Sequence, residues 1–297
     1  MYETIRLTEH DYYVDCPAKI GLVQTGPGEA VLIDSGSDKD AAKKVWRILG
    51  ELGLSLRAIY ATHSHADHIG GCRFLQEKSG CPVYARGLER CFTEAPVLEP
   101  LGLFGGAPLP ELRGKFLMAQ PSDVLPLTED TLPEGWTLLP LPGHSFDMTG
   151  FLTPDGTAYV ADAVSSPETL AKYGIGYLWD PAASLETLEM LGALRAARFV
   201  PAHAAVCEDI APLCELNAAA IRDVRARVTA LLRTPLGFEE LLARVFESYG
   251  LTMNLTQYAL IGSTLRNYLT DLRGRGEVAC EIAESRLLWK AVTPDED

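Results

Sequence analysis

Short apolar runs broken by turn residues fill the first 34 positions. Residues 19–25 (KIGLVQT) and 29–36 (EAVLIDSG) read as strands flanking Gly26-Pro27-Gly28, a hairpin signal. From 38 to 52 the period changes to that of a helix, with Ser37 or Asp38 as N-cap and Val45, Ile48, Leu49 and Leu52 on one face. Residues 56–62 (LRAIYAT) form a buried strand, 70–80 a short helix, and 81–85 (CPVYA) another strand. This βαβ rhythm then lapses. Residues 94–127 are rich in Pro, Gly and Leu without sustained periodicity, and two readings stay open: a flap over a site, or an ordered insertion packed on the core.

Strand patterns return at 135–142, at 149–162 around the turn Asp155-Gly156, and at 197–203, with an amphipathic helix at 184–196. Each of these segments leads to a His or Asp: His144, Asp162 and His203. Ligands gathered at the C-terminal ends of several strands are how sheet folds build sites. After 208 the chain turns helical. Segments 208–232, 237–250 and 256–276 carry apolar stripes, the second on Phe238, Leu241, Leu242, Val245, Phe246 and Tyr249. The third places Tyr258, Ile261, Leu265, Tyr268, Leu269 and Leu272 inward. Residues 277–292 then read as two strands joined at Ala283-Glu284-Ser285, completing the element order of a winged-helix module.

Length, 297 residues, allows one large domain or two, and the pattern change divides the chain at 1–210 and 211–297. Hydrophobic content of 47% is ample for a core. No apolar run reaches the roughly 18 residues that span a bilayer. The N-terminus lacks a basic region followed by an apolar one, so the expected location is cytoplasmic and no membrane partner is expected. A net charge of −14 repels nucleic acid phosphates. Seven irregularly spaced cysteines read as reduced thiols, and Cys72 and Cys207, though near candidate ligands in sequence, read as small buried hydrophobes.

One stretch resists a packing explanation. His63, His65, Asp67 and His68 fall within six positions (HSHADH) directly after a buried strand, and they include half of the chain's six histidines. Three imidazoles and a carboxylate bring many polar atoms that a core would have to satisfy. A divalent cation satisfies them together, because imidazole and carboxylate suit Zn, Fe, Mn or Co.

HSHADH resembles the HxHxDH signature of the metallo-β-lactamase superfamily. The upstream VLIDSG, PGHS with His144, VADAV with Asp162 and VPAH with His203 follow in the family's order, so the resemblance covers about residues 1–207. It implies an α/β fold, the αββα metallo-β-lactamase sandwich, with a glyoxalase II-like binuclear site at one edge. Carried over, one metal takes His63, His65 and His144, the other Asp67, His68 and His203, and Asp162 bridges them. The cofactors implied are two divalent metal ions, zinc or alternatively iron or manganese, holding a bridging hydroxide that attacks a carbonyl. Asp67 also takes or relays a proton, and Asp34 orients a ligand or the histidine loop by hydrogen bonds, its other reading being a turn cap. The sixth histidine, His10, falls in a β-type run and reads as structural.

Lys172, Tyr173 and Tyr177 stand where relatives place substrate-contacting groups. Asp147-Met148 replace the Gly-His that many thioesterase-like members carry after PGH, which leaves the substrate class open. Residues 211–297 resemble the small winged-helix-like domain appended to some of these hydrolases. Ten Lys and Arg against fourteen Asp and Glu over residues 208–297 argue against a nucleic acid platform and for packing, covering the cleft or a homodimer. The expected activity is hydrolysis of a small ester-like substrate, a thioester or lactone. The alternatives are an endoribonuclease on single-stranded RNA and a mononuclear iron enzyme like the persulfide dioxygenases.

Overall fold

Residues 2–292 are described in the structure, a computed structural model. Seven strands form one sheet in chain order: β1 (Glu3–Arg6), β2 (Asp11–Asp15), β3 (Ile20–Gly26), β4 (Glu29–Ile33), β5 (Ser55–Tyr60), β6 (Val83–Ala85) and β7 (Val124–Pro126). Tight turns make β1 to β4 antiparallel. The strands from β4 to β7 run parallel, which demands crossovers. These are α1 (Lys39–Glu51), then α2 (Ala66–Ile69) and α3 (Cys72–Ser79), then α4 (Gly87–Glu94) and α5 (Leu98–Phe104). Asp38 caps α1 by accepting from the amides of Asp40 and Ala41. Leu52, expected on the buried face, is 45% exposed because α1 ends at Glu51 and Leu52 is its C-cap.

The second sheet contains β8 (Thr137–Pro140), β9 (Thr149–Leu152), β10 (Thr157–Ser165) and β11 (Arg198–His203), in the spatial order β11-β10-β9-β8. Helices α6 (Pro167–Tyr173) and α7 (Pro181–Ala193) cross from β10 to its parallel neighbour β11. Val31, Ile33, Tyr60, Phe151, Tyr159 and Val200 pack between the two sheets. Val45, Ile48 and Leu49 of α1 cover the outer face of the first sheet, and Leu188 and Leu191 of α7 join the cluster behind the second. The result is the αββα sandwich.

The C-terminal part contains α8 (Ala211–Leu231), β12 (Leu236–Gly237), α9 (Phe238–Ser248), α10 (Leu255–Gly274), β13 (Val278–Ala283) and β14 (Arg286–Ala291), with a small sheet ordered β12-β14-β13. Positions 293–297 of the expected second unit lie outside the described residues. One apolar cluster runs unbroken from Leu139 and Val160 through Leu188 and Ile221 to Leu242, Leu265 and Val278. Arg225 of α8 donates two hydrogen bonds to Asp271 of α10, at 2.6 and 2.9 Å, largely out of water.

Residues 94–127 hold more order than their composition suggests. Besides α5 they contain a 3-10 turn at Pro110–Arg113, and they end in β7, which extends the parallel sheet. Three residues ending in proline carry too little pattern to announce a strand. Leu103, Leu112 and Leu117 pack with Ala259 of α10, so the stretch is a wall tied to the C-terminal helices. His10 sits in the turn between β1 and β2, not in a strand, and contacts Asp155 at 3.1 Å.

Candidate metal centre

The ends of β4, β5 and β11, the loop after β8 and the middle of β10 converge at one edge of the two sheets. Chain direction decides this: parallel strands deliver their C-terminal ends to the same side. Asp162 lies within β10 and not at its end as the pattern suggested, because a register shift at Ala161 interrupts pairing and re-aims the chain. Ala161 has a φ of 49° and Asp34 one of 66°, so two of the strained non-glycine residues sit at this centre.

Three groups of side chains lie close enough to hold a cation: His63, His65 and His144; His63, His68 and Asp162; and Asp67, His68 and His203. His65 Nδ1 lies 2.9 Å from His63 Nε2 and 3.0 Å from His144 Nε2. Asp162 Oδ2 is 3.5 Å from His144 Nε2 and 3.3 Å from His203 Nε2, and Oδ1 is 3.2 Å from His68 Nε2. Asp67 Oδ2 lies 3.2 Å from His203 Nε2. The Asp162 carboxylate therefore stands between the two outer groups.

Partners on the far side set the tautomers. Thr62 has one hydroxyl proton, which it donates to Asp34 Oδ2 at 2.8 Å, so the 3.0 Å contact with His63 Nδ1 needs His63 as donor. His68 Nδ1 donates to Asp34 Oδ2 at 2.7 Å, and His203 Nδ1 donates to the Pro17 carbonyl at 2.9 Å. Each arrangement turns Nε2 inward, where a neutral ring offers a lone pair. His68 Nε2 and Asp162 Oδ1 are buried without a hydrogen bond to either. Orphaned buried polar atoms are rare and costly, and a donor set of imidazoles and carboxylates aimed at one space fits a divalent cation.

Charge confirms the tension in the protein alone. Burial should lower the His68 pKa, yet Asp162, Asp67 and Asp34 outweigh it and hold the pKa well above the usual value. Asp162, with burial opposing, raises His203 to about 10. For Asp67, burial is outweighed by His68 and the His203 contact, leaving it at about 2. His144 falls to about 4, chiefly through burial.

Two carboxylates that motif reading passed over belong to this region. Glu89 on α4 is fully buried. One oxygen accepts from the Ser64 amide (2.9 Å) and hydroxyl (2.6 Å), the other from the Ser145 hydroxyl (2.7 Å) and the Asp147 amide (3.0 Å). It thus straps the histidine loop to the His144 loop. Glu99 on α5 approaches His65 Nε2 at 3.6 Å, and burial, with the charges of Glu89 and Asp67 adding, pushes its carboxyl up to about 8. Neither sits in a motif; each comes from a helix whose position only the fold reveals.

Of the three expected substrate contacts, Tyr177 reaches the centre, its ring edge-on to His65 and His144 with centroids 5.2 and 5.9 Å away. Lys172 and Tyr173 pair with each other at 3.1 Å on exposed α6, and neither is among the residues lining the adjoining cavity. Cys72 is buried, its thiol pushed up to about 12 by burial, and donates to Ser35. Neither Cys72 nor Cys207 belongs to a ligand group among the described residues. Glycine is required where these loops pass closest. A Cβ at Gly70 would lie 2.2 Å from the Ser37 carbonyl, and Gly143, at φ 123°, would lie 2.3 Å from Ser184 Oγ.

Among known proteins, a probable metallo-hydrolase of Bacillus subtilis, YqgX, is 30% identical over 151 residues, covering 50% of this chain and 64% of that protein. A hydroxyacylglutathione hydrolase of Cupriavidus taiwanensis is 32% identical over 216 residues, 69% of this chain and 71% of the relative. The chain thus spans roughly two thirds of the length of the curated relatives it matches. A metallo-beta-lactamase family protein of Thermus thermophilus shares the fold with a TM-score of 0.72 at 20% identity, over 97% of both chains. A beta-lactamase domain protein of Burkholderia ambifaria does so with 0.77 at 17%, over 98% of this chain and 94% of that one. No helix among the described residues is long and apolar enough to cross a membrane. The sequence model of the Metallo-beta-lactamase superfamily matches residues 13–203, the span that carries the second sheet, the first sheet from the middle of β2 onward and every convergent histidine, and the chain belongs to that superfamily.

Proposed function

We propose that the protein is a binuclear hydrolase of a small ester-like substrate, a thioester or lactone. The observation that carries this reading is the buried pair His68 Nε2 and Asp162 Oδ1, 3.2 Å apart with no hydrogen bond, between two ligand groups in which His63, His68 and His203 turn Nε2 inward and His65 turns Nδ1 inward. His63, His65 and His144 would hold one ion; Asp67, His68 and His203 would hold the second, with Asp162 shared. Two divalent cations, zinc or alternatively iron or manganese, supply ionised water near neutral pH and polarise a carbonyl oxygen. Asp67 has the task of relaying a proton: its carboxylate meets the centre at His203 and its side chain is 42% exposed, so it can hand a proton on to solvent. Asp34 orients His68 directly and His63 through Thr62. Tyr177 closes the His65 and His144 side. The Cupriavidus relative's name states hydrolysis of a hydroxyacylglutathione, which agrees with a thioester. Residues 211–297, with the element order of a winged helix and an acidic balance, act in this reading as a packed wall beside the centre.

The test is turnover by purified, metal-loaded protein on a panel of acyl thioesters and lactones alongside labelled single-stranded RNA. Thioester or lactone hydrolysis is expected, falling about 10²–10⁴-fold in Asp67→Ala. RNA cleavage with the same dependence on Asp67, or a single bound iron per chain in the active protein, would overturn the reading.

A further inference from the structure

Next to the metal groups lies a cavity of about 90 Å³. His144 and Asp162 form part of its wall. The remainder is mostly apolar; four helices contribute to it, with Leu170 of α6, Leu188 of α7, Ile221 and Val224 of α8 and Tyr268 of α10, alongside Met148, Ala163 and Leu178 from β10 and the loops beside it. No Lys, Arg or Glu lines it among the described residues, and Asp162 is its one carboxylate. Asn217 also faces it, but its amide is already committed to Ser165 and Leu213. Ser184, 7% exposed, adds a buried hydroxyl that has no partner.

We propose that this cavity receives the acyl half of the substrate, and that this acyl group is uncharged, mainly apolar and short. The inference rests on the hydrolase reading above and narrows its substrate class. Three observations lead to it. The cavity shares His144 and Asp162 with the metal groups, so a chain seated in it has its carbonyl end where water is activated. With no cationic side chain on the wall, a carboxylate or phosphate would lose its hydration without repayment. Size sets the length: a water needs 10–15 Å³ of such space, so the cavity of about 90 Å³ takes roughly six to nine heavy atoms. A bulky, charged thiol or alcohol half therefore stays outside. In the reaction, water gives its oxygen to the acyl carbon as the bond from that carbon to sulfur or oxygen breaks. The departing thiol or alcohol takes a proton from that water, and no oxidant or reductant is involved. The C-terminal helices thereby set acyl specificity, since α8 and α10 form the wall opposite the sheets.

Calorimetric binding of straight-chain primary carboxamides, from four to ten carbons, to the intact metal-loaded chain tests the cavity without requiring turnover. Affinity is expected to rise roughly fourfold per methylene until the cavity is full, then level off. Ala220→Phe, which fills the α8 wall, should move that break to shorter chains, and Val224→Ala should move it to longer ones. A parallel series of thioesters with one thiol half should give kcat/KM values that break at the same length in each protein. Affinity indifferent to chain length, or a break that neither substitution moves, would overturn the acyl assignment. Chain-dependent binding with no thioester or lactone turnover would support the cavity's ligand class and instead sink the hydrolase reading.

Discussion

Asp34 receives three hydrogen bonds, from the Thr62 amide, the Thr62 hydroxyl and His68 Nδ1, all between 2.7 and 2.8 Å. A carboxylate only accepts, so every one of these contacts has a fixed direction, and two imidazoles inherit it. Asp34→Ala frees His68 to rotate and lets the Thr62 proton turn toward His63 Nδ1. Metal affinity should fall about 10–100-fold, the usual cost of losing a ligand's outer hydrogen-bond partner. Competition with a chromophoric chelator measures this, and an unchanged affinity would reduce Asp34 to a turn residue. At this scale His63, His65, Asp67 and His68 were legible in the sequence because their density within six positions has no apolar explanation, and His144, Asp162 and His203 because each follows a strand pattern. Glu89 and Glu99 were not, since an isolated Glu on a helix reads as solvated until its neighbours in space are known.

Among elements, α4 acts at a distance from its own strand neighbours. Glu89 in its first turn satisfies Ser64 before β5's histidine run continues into α2, and Ser145 and Asp147 after β8. Two loops from different sheets are thus held at one spacing by one side chain. Glu89→Ala strands the Ser64 and Asp147 amides, each orphaned donor costing about 1–3 kcal/mol. Denaturant unfolding of the metal-free protein should show a loss of several kcal/mol in stability, with the slope unchanged. A loss below about 1 kcal/mol would mean that water replaces the carboxylate. Long periodic elements such as α1, α9 and α10 could be read from the chain, as could the hairpins with glycine turns. The wall made by residues 94–127 could not, because its order comes from Leu103, Leu112 and Leu117 meeting Ala259, a contact far away in sequence. The cavity has the same origin, drawing its lining from β10, from loops beside it and from four separate helices.

For the whole molecule, a net charge of −14 and the carboxylates around the centre favour cations, and without metal two of those cations are protons. His203 sits at about 10 against an ordinary 6.5, first through Asp162, and His68 is also raised well above 6.5 by Asp162, Asp67 and Asp34 against its burial. A raised folded-state pKa means that the proton stabilises the metal-free fold. For His203 that contribution is whole below about pH 6.5 and is lost as pH rises through about 10. Metal ions need the neutral rings, so loading must expel these protons and must become more favourable as pH rises. The metal-free protein should therefore lose stability from pH 6 to 9 while the loaded protein gains on it. The difference in melting temperature between the two forms widens over that range. Thermal melts of both forms across the range, at fixed free metal, decide the matter. Calorimetry at pH 7 in buffers of different ionisation enthalpy counts the protons released directly. A gap that stays constant or narrows with pH, or metal uptake that releases no protons, would mean that His68 and His203 are neutral before the metal arrives, and that their carboxylate neighbours do not hold them charged.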